Sequence, residues 1–279
     1  MKKLLFALAV IASSVAEAQI VTPAASPAAS VSSVVGLTNI KIDYSRPRAR
    51  GRKIFGAGPG VVVPYGAIWR TGANTGTKIS FSDDVTVEGL KVPKGDYLIF
   101  TWPGATEWTV SLYKDLNLGG NTADYKKENE LVNFKVKSEQ AARMAETLTI
   151  NIDDIAADNK SAKVSIAWEN TIVRFTVGVD FDARVMQSIE ASTQVNPNNY
   201  YAAAVYYLET GKDLKQAMEW MNKANPTQFF QLYQKALLQK ATGDKAGALA
   251  TSKLSYEEAK KANNTDYQRM NEELQKTLK

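Results

Sequence analysis

The spacing of apolar and polar residues along this chain changes period once, and the change divides it in two. From Val34 to about Asp182 the period is two. GLTNIKIDY sets Ile40, Ile42 and Tyr44 on one face, and TKISF does the same with Ile79 and Phe81. DYLIFTW, EWTVSLY, ELVNFKVK, ETLTINI, AKVSIAW and TIVRFTVGV follow, each bounded by Gly, Pro, Asn or Asp. Alternation at period two puts successive side chains on opposite faces of a strand. About eight or nine such short segments, with no long helical pattern among them, predict an all-β, sandwich-like antiparallel domain over residues 34–182.

Beyond Asp182 the period becomes helical. ARVMQSIEAS spaces Val185 and Ile189 one helical turn apart, and Asn196-Pro197 ends that run. Two longer stretches follow, with small residues at Ala202, Ala217, Ala224 and Ala248 and turn glycines at Gly211 and Gly243. The glycines are 32 residues apart, near the roughly 34-residue tetratricopeptide period. Residues 183–279 are therefore predicted to be an all-α domain of two tetratricopeptide-like hairpins closed by a helix over 266–278. A generic pair of helical hairpins is the plainer reading of the same pattern. Stacked hairpins form concave grooves that suit protein partners. Tyr200, Tyr201, Tyr206, Tyr207 and Trp220 are candidates to line one, although some of them must belong to the core.

The start of the chain carries an address. MKKLLFALAVIASSVAEAQ has Lys2 and Lys3, an apolar stretch from Leu4 to Ala12, and Ala16-Glu17-Ala18 as a small-residue cleavage site. That layout predicts a signal peptide over 1–18, cleaved after Ala18, and a periplasmic or secreted protein. No later stretch approaches the roughly 20 apolar residues of a spanning helix, so no membrane span is expected. Residues 19–33, rich in Pro, Ala and Ser, read as an exposed leader.

Composition narrows the chemistry. The 279 residues include no Cys and no His. Thiol nucleophiles, Ser-His-Asp triads, imidazole acid–base catalysis and nearly all zinc sites are thereby excluded. Carboxylate, Tyr, Lys, Arg and hydroxyl chemistry remain, as does an oxygen-ligand Ca²⁺ site, and the balance points away from an enzyme. The formal charge is +5, without the large basic excess of a nucleic-acid binder. GAGPG and TGDKAG lack the Gly-Lys-Ser/Thr ending of a phosphate loop, and NIDDIAADN lacks the central Gly and closing Glu of a calcium loop. No cofactor and no metal are expected.

Two segments hold candidate binding chemistry. Arg46, Arg48, Arg50 and Arg52 are four of the chain's nine arginines, packed into seven residues. Extended backbone would place all four on one side, and guanidinium groups grip carboxylates, sulfates and phosphates bidentately. The run reads either as an anion patch or as a solvated loop with structural ion pairs. In PYGAIWRTGANTG, Gly66, Gly72, Gly76 and Asn74 permit tight left-handed turns. Burying Trp69 is worth about 2–3 kcal/mol, and Arg70 beside it then needs a partner. That partner is a carboxylate such as Asp43, Asp83 or Asp84, a run of turn carbonyls, or an incoming anion. The ligand-binding candidates are Arg46, Arg52, Tyr65, Trp69, Arg70 and Asn74. Tyr44, Tyr65, Trp69, Trp102, Trp108 and Tyr113 could stack on sugar rings if they share an exposed face, and otherwise belong to the core. The pairs Asp83-Asp84 and Asp153-Asp154 read as turn residues, because strand neighbours face opposite ways and form no catalytic dyad.

IDYSRPRARGRKIFG, VPYGAIWRTGANTGTKISFSDDV, GDYLIF and EWTVSLYKD together resemble the domain of unknown function 2911 family of exported Bacteroidota-type proteins, over about Ser26 to Asp182. The resemblance implies a β-rich exported domain with a helical tail and carries over no catalytic residue. The chain departs from the family pattern in the insert GAGPGVV, Gly56 to Val62, and in Leu118-Gly119 after the Lys-Asp turn. The leading expectation is a non-catalytic exported protein. Its β domain would bind a small anionic or carbohydrate ligand, and its helices would bind another exported protein. A carboxylate-dependent hydrolase of glycans or peptides, and an envelope scaffold without a ligand, are the alternatives.

Overall fold

The structure is a computed structural model and describes residues 22–193, 196 and 199–278. The expected signal peptide, 1–18, lies outside the described residues. The chain divides into two compact units between Asp180 and Phe181.

The first unit holds eleven strands: β1 (Ala28–Val35), β2 (Thr38–Ser45), β3 (Phe55–Gly56), β4 (Val63–Pro64), β5 (Thr77–Phe81), β6 (Val85–Val87), β7 (Leu90–Val92), β8 (Gly95–Trp102), β9 (Glu107–Tyr113), β10 (Glu130–Asp153) and β11 (Ser161–Val179). Nine of them form an antiparallel system in the order β1-β2-β5-β8-β9-β10-β11-β6-β7, and β3 and β4 make a short parallel pair. β1 begins inside the stretch expected as leader, because Ala28–Val35 pairs along the whole of β2.

Segments that looked like four separate strands are two long ones. ELVNFKVK and ETLTINI belong to the 24-residue β10, and AKVSIAW and TIVRFTVGV to the 19-residue β11. β10 pairs with β9 from Glu130 to Lys137 and with β11 from Ser138 to Asp153. Register shifts between Gln140 and Thr149, and a left-handed Glu169 (φ 55°), bend the ladder without ending it. One long strand thereby joins the β1-β2-β5-β8-β9 part of the ladder to the β11-β6-β7 part.

The alternation locates the core. Ile40, Ile42, Ile79, Ile99 and Leu112 of β2, β5, β8 and β9 are buried, as are Leu148, Ile150, Val164, Ile166 and Phe175 of β10 and β11. β8 departs from the pattern because both its faces are covered. On the second face Leu98, Phe100 and Tyr113 pack with Ile68, Trp102, Leu118 and Tyr125. Burial, together with the Glu130 carboxylate 2.9 Å away, pushes the Tyr125 hydroxyl well above the ordinary phenol value.

After β2 the chain continues alongside β10. The Ala49 amide donates to Glu146 O at 2.7 Å and the Leu148 amide to Pro47 O at 2.9 Å. The arginine run is thereby fixed against the edge of β10.

The second unit is helical: α1 (Asp182–Thr193), α2 (Asn199–Glu209), α3 (Leu214–Ala224), α4 (Phe229–Ala241), α5 (Lys245–Lys261) and α6 (Thr265–Lys276). Asp213, Asp244 and Asn264 cap α3, α5 and α6 with their side chains. Ala217 and Ala248 are buried as expected, and Ala224 is half-buried. The first apolar cluster is Ala204, Ala217, Met221 and Leu238, and Tyr201, Tyr207 and Trp220 pack against it. Three of the aromatics expected to line a groove thus contribute to the core. Buried Asn271 accepts from the Ser252 hydroxyl at 2.9 Å and donates to Ser255 Oγ at 2.9 Å and Tyr267 O at 2.7 Å.

Candidate functional site: an arginine-lined pocket

Four aromatic rings meet at one place in the β unit. Phe55 lies 5.5 Å from Trp69, 4.8 Å from Trp108 and 6.1 Å from Trp168, between ring centroids. Trp69 stacks on Trp168 at 5.8 Å. All four rings are buried. Trp69 is placed by backbone bonds with Thr101 in both directions, at 2.7 and 2.9 Å, and its indole N–H donates to Gly72 O at 3.1 Å. The indole N–H groups of Trp108 and Trp168 have no hydrogen-bond partner among the described residues.

The turn that follows Trp69 is tight and strained. Thr71 is fully buried at φ 55°, a left-handed conformation that a β-branched residue rarely adopts. Its hydroxyl meets that of Thr101 at 3.1 Å, and its carbonyl accepts from the Thr77 hydroxyl. A Cβ on Gly72 would lie 3.1 Å from Thr77 Oγ1, a tighter approach than side chains ordinarily make. Buried, mutually bonded threonines therefore hold a conformation that local preference disfavours.

The arginine run ends in a second tight turn. Arg50 (φ 51°) and Gly51 (φ 69°) are both left-handed, and the Arg52 amide donates to Ala49 O at 3.0 Å. Two left-handed central residues make this a type I′ turn. Glu146 accepts from the Arg50 amide at 2.8 Å and Glu169 from the Ile54 amide at 3.3 Å. These two carboxylates bind backbone at the turn rather than guanidinium groups.

Between the two turns lies a pocket of about 670 Å³. Arg48, Arg50, Arg52 and Arg70 all line it, with Asn74 and Ser26, and Pro47, Val62, Val63, Trp69 and Trp168 supply an apolar wall. No lining residue is Asp or Glu. Among the described residues none of the four guanidinium groups makes an ion pair; Arg52 donates to Ala49 O at 3.0 Å and Arg48 O at 2.8 Å, and Arg70 to Asn74 O at 3.0 Å.

The expected site residues divide. Arg52, Trp69, Arg70 and Asn74 come together at the pocket. Arg46 does not line it, because its guanidinium donates to Leu148 O and Thr149 Oγ1, both at 3.1 Å, and so covers the edge of β10. Tyr65 is exposed and also outside the lining. Of the acidic partners proposed for Arg70, Asp43 pairs with Lys41 at 3.0 Å, Asp83 accepts from the Ser82 hydroxyl at 2.7 Å and Asp84 accepts from the Lys94 amide at 2.9 Å. Turn carbonyl, the other expected partner, is what Arg70 meets. Tyr44, Trp69, Trp108 and Tyr113 are buried and belong to the core, the other reading the sequence allowed. Arg48, Arg50 and Trp168 are among the lining residues absent from the expected set. Arg48 and Arg50 were signalled by the period-two run, whereas Trp168 lies on β11, with no local mark to connect it to Trp69.

A family model described as a protein of unknown function (DUF2911) matches residues 26–177. No curated protein and no solved structure matches the chain.

Proposed function

We propose, for a chain that belongs to the family described as a protein of unknown function (DUF2911), that the β unit binds a small anionic ligand in the arginine-lined pocket. One observation carries the reading: four guanidinium groups from two separate turns line one concavity that contains no carboxylate. Buried or crowded charges are ordinarily paired within the protein, and here Glu146 of β10 and Glu169 of β11, which reach the arginine loop, are bound to its backbone amides instead. The lining side chains include no carboxylate, Lys or Tyr to exchange a proton near neutral pH, so the chemistry supports binding over hydrolysis. Arginine stays charged throughout the accessible pH range. Affinity for a fully ionised anion is therefore expected to be flat between about pH 6 and 9.

In this reading the protein works outside the cytoplasm, as its leader suggests, and the tetratricopeptide-like helical unit holds a protein partner. The test of the pocket is titration calorimetry of the mature protein with phosphate, sulfate and citrate. Binding is expected for the wild type and for a charge-matched control, Lys135→Ala, and is expected to be weakened in Arg48→Gln and lost in Arg70→Gln while both stay folded. Equal binding in the two arginine variants, or none in the wild type at millimolar anion, overturns it.

A further inference from the structure

The four guanidinium groups are not equivalent, and the difference bears on what kind of anion the pocket takes. Arg52 is fixed by two carbonyls of its own turn, Ala49 O and Arg48 O. Arg70 is fixed by Asn74 O and lies against Gly120, where a Cβ would stand 2.9 Å from its Cδ and Nη1. Each keeps further N–H donors beyond those bonds, since a guanidinium carries five. Arg48 and Arg50 make no guanidinium hydrogen bond or ion pair among the described residues, and both are exposed. The pocket thus has two pre-oriented anchors on separate turns and two free arms. A single inorganic anion can satisfy one anchor. It leaves most of a 670 Å³ space, and the wall of Pro47, Val62 and Val63, without contact. Pockets of roughly 300–1,000 Å³ are the size that holds organic ligands.

We propose that the ligand is an organic polyanion: a body of monosaccharide or dipeptide size carrying two or more anionic groups, one held at Arg52 and another at Arg70, with Arg48 and Arg50 closing over them. This rests on the anion-binding reading above and narrows it to a valence and a size. Carboxylate, sulfate and phosphate all meet the requirement, because each accepts a bidentate guanidinium.

The experiment is calorimetry at two ionic strengths with matched series on the full mature chain. Butyrate, succinate and tricarballylate vary carboxylate number; glucose, a glucose monosulfate and a glucose disulfate vary sulfate number and separate the two sources. Affinity is expected to rise at least tenfold from one anionic group to two in whichever series carries the true body. Arg52→Gln and Arg70→Gln should each lower the dianion to the level of its monoanion. Arg48→Gln, whose guanidinium bonds to no other part of the fold, provides a variant with no structural bond to lose and should weaken the dianion while leaving the melting temperature in place. A monoanion binding within twofold of its dianion overturns the polyanion inference and leaves anion binding standing. Dianion binding indifferent to Arg52 and Arg70 places the ligand elsewhere and overturns it too. No binding by any anion removes both readings together.

Discussion

Replacing Arg50 with Asn should make the β unit more stable and less able to bind. Arg50 sits at φ 51° in the turn Ala49–Arg52. A left-handed backbone costs a residue other than Gly about 1 kcal/mol, and Asn, which visits that region readily, relieves most of it. The second contribution is electrostatic. A pocket of 670 Å³ is about 9 Å across, so Arg50 repels each of three neighbouring guanidinium groups by roughly 0.5–1 kcal/mol before screening. Salt at 0.15 M, with a Debye length of about 8 Å, reduces the three together to about 0.5–1 kcal/mol. The Arg50 amide bond to Glu146 is backbone and survives the change. The expected gain is about 1–2 kcal/mol, or a rise of about 3–6 °C in Tm for a unit of this size. Thermal unfolding followed by circular dichroism at 20 mM and 300 mM salt reads both parts. The electrostatic share should shrink at high salt and the backbone share should persist. An unchanged or lowered Tm at low salt would show that Arg50 has an internal partner and that the pocket is not an uncompensated cation site.

Three further outcomes follow from the geometry. Gly120→Ala drives a Cβ to 2.2 Å from Asn74 O and 2.9 Å from the Arg70 guanidinium; it should cost about 1–3 kcal/mol in urea unfolding and weaken anion binding, and a neutral effect on both would refute the placement of Arg70. Trp168→Phe removes a buried indole N–H that has no partner among the described residues, and relief of about 1–3 kcal/mol should offset much of the cavity it leaves. Trp69→Phe loses the bond to Gly72 O as well, so it should be the more destabilising of the two by about 1–2 kcal/mol, and the reverse order would contradict the packing. Asp96 has its carboxyl lowered below the usual 3.8, by a hydrogen bond from Ser80 and then by Lys78. Its contribution is therefore present above about pH 4 and lost as pH falls through the lowered value. With the side chain 42% exposed, Asp96→Asn should cost only about 0.3–0.5 kcal/mol at pH 6, a deficit that shrinks as the pH falls below about 4; a deficit constant with falling pH would assign it to packing instead.

The period of the apolar residues determined by itself that a β unit is followed by a helical one, and where the change falls. Burial at alternate positions is a local consequence of backbone geometry, so Ile40, Ile42, Ile79 and Phe81 declared their faces without knowledge of their partners. The left-handed turns were legible in part: Gly66, Asn74 and Gly76 are left-handed as their residue types allow, but after Arg70 it is Thr71 and not Gly72 that takes that conformation. The pairing of distant segments was not legible. Whether Glu169 ends a strand or merely bends it depends on β10 lying alongside with matching bulges, a property of two segments rather than one. The pocket depends on pairing in the same way. Arg46 and Arg48 are close in sequence, yet the bonds of one to Leu148 and Thr149 and the exposure of the other follow from where the run meets β10. Trp168 reaches Trp69 only because strands far apart in the chain fold onto one core. Side-chain type and local spacing set what each arginine could bind; the tertiary structure alone decided which of them face one cavity, because that depends on long-range register and on where the acidic groups are already engaged.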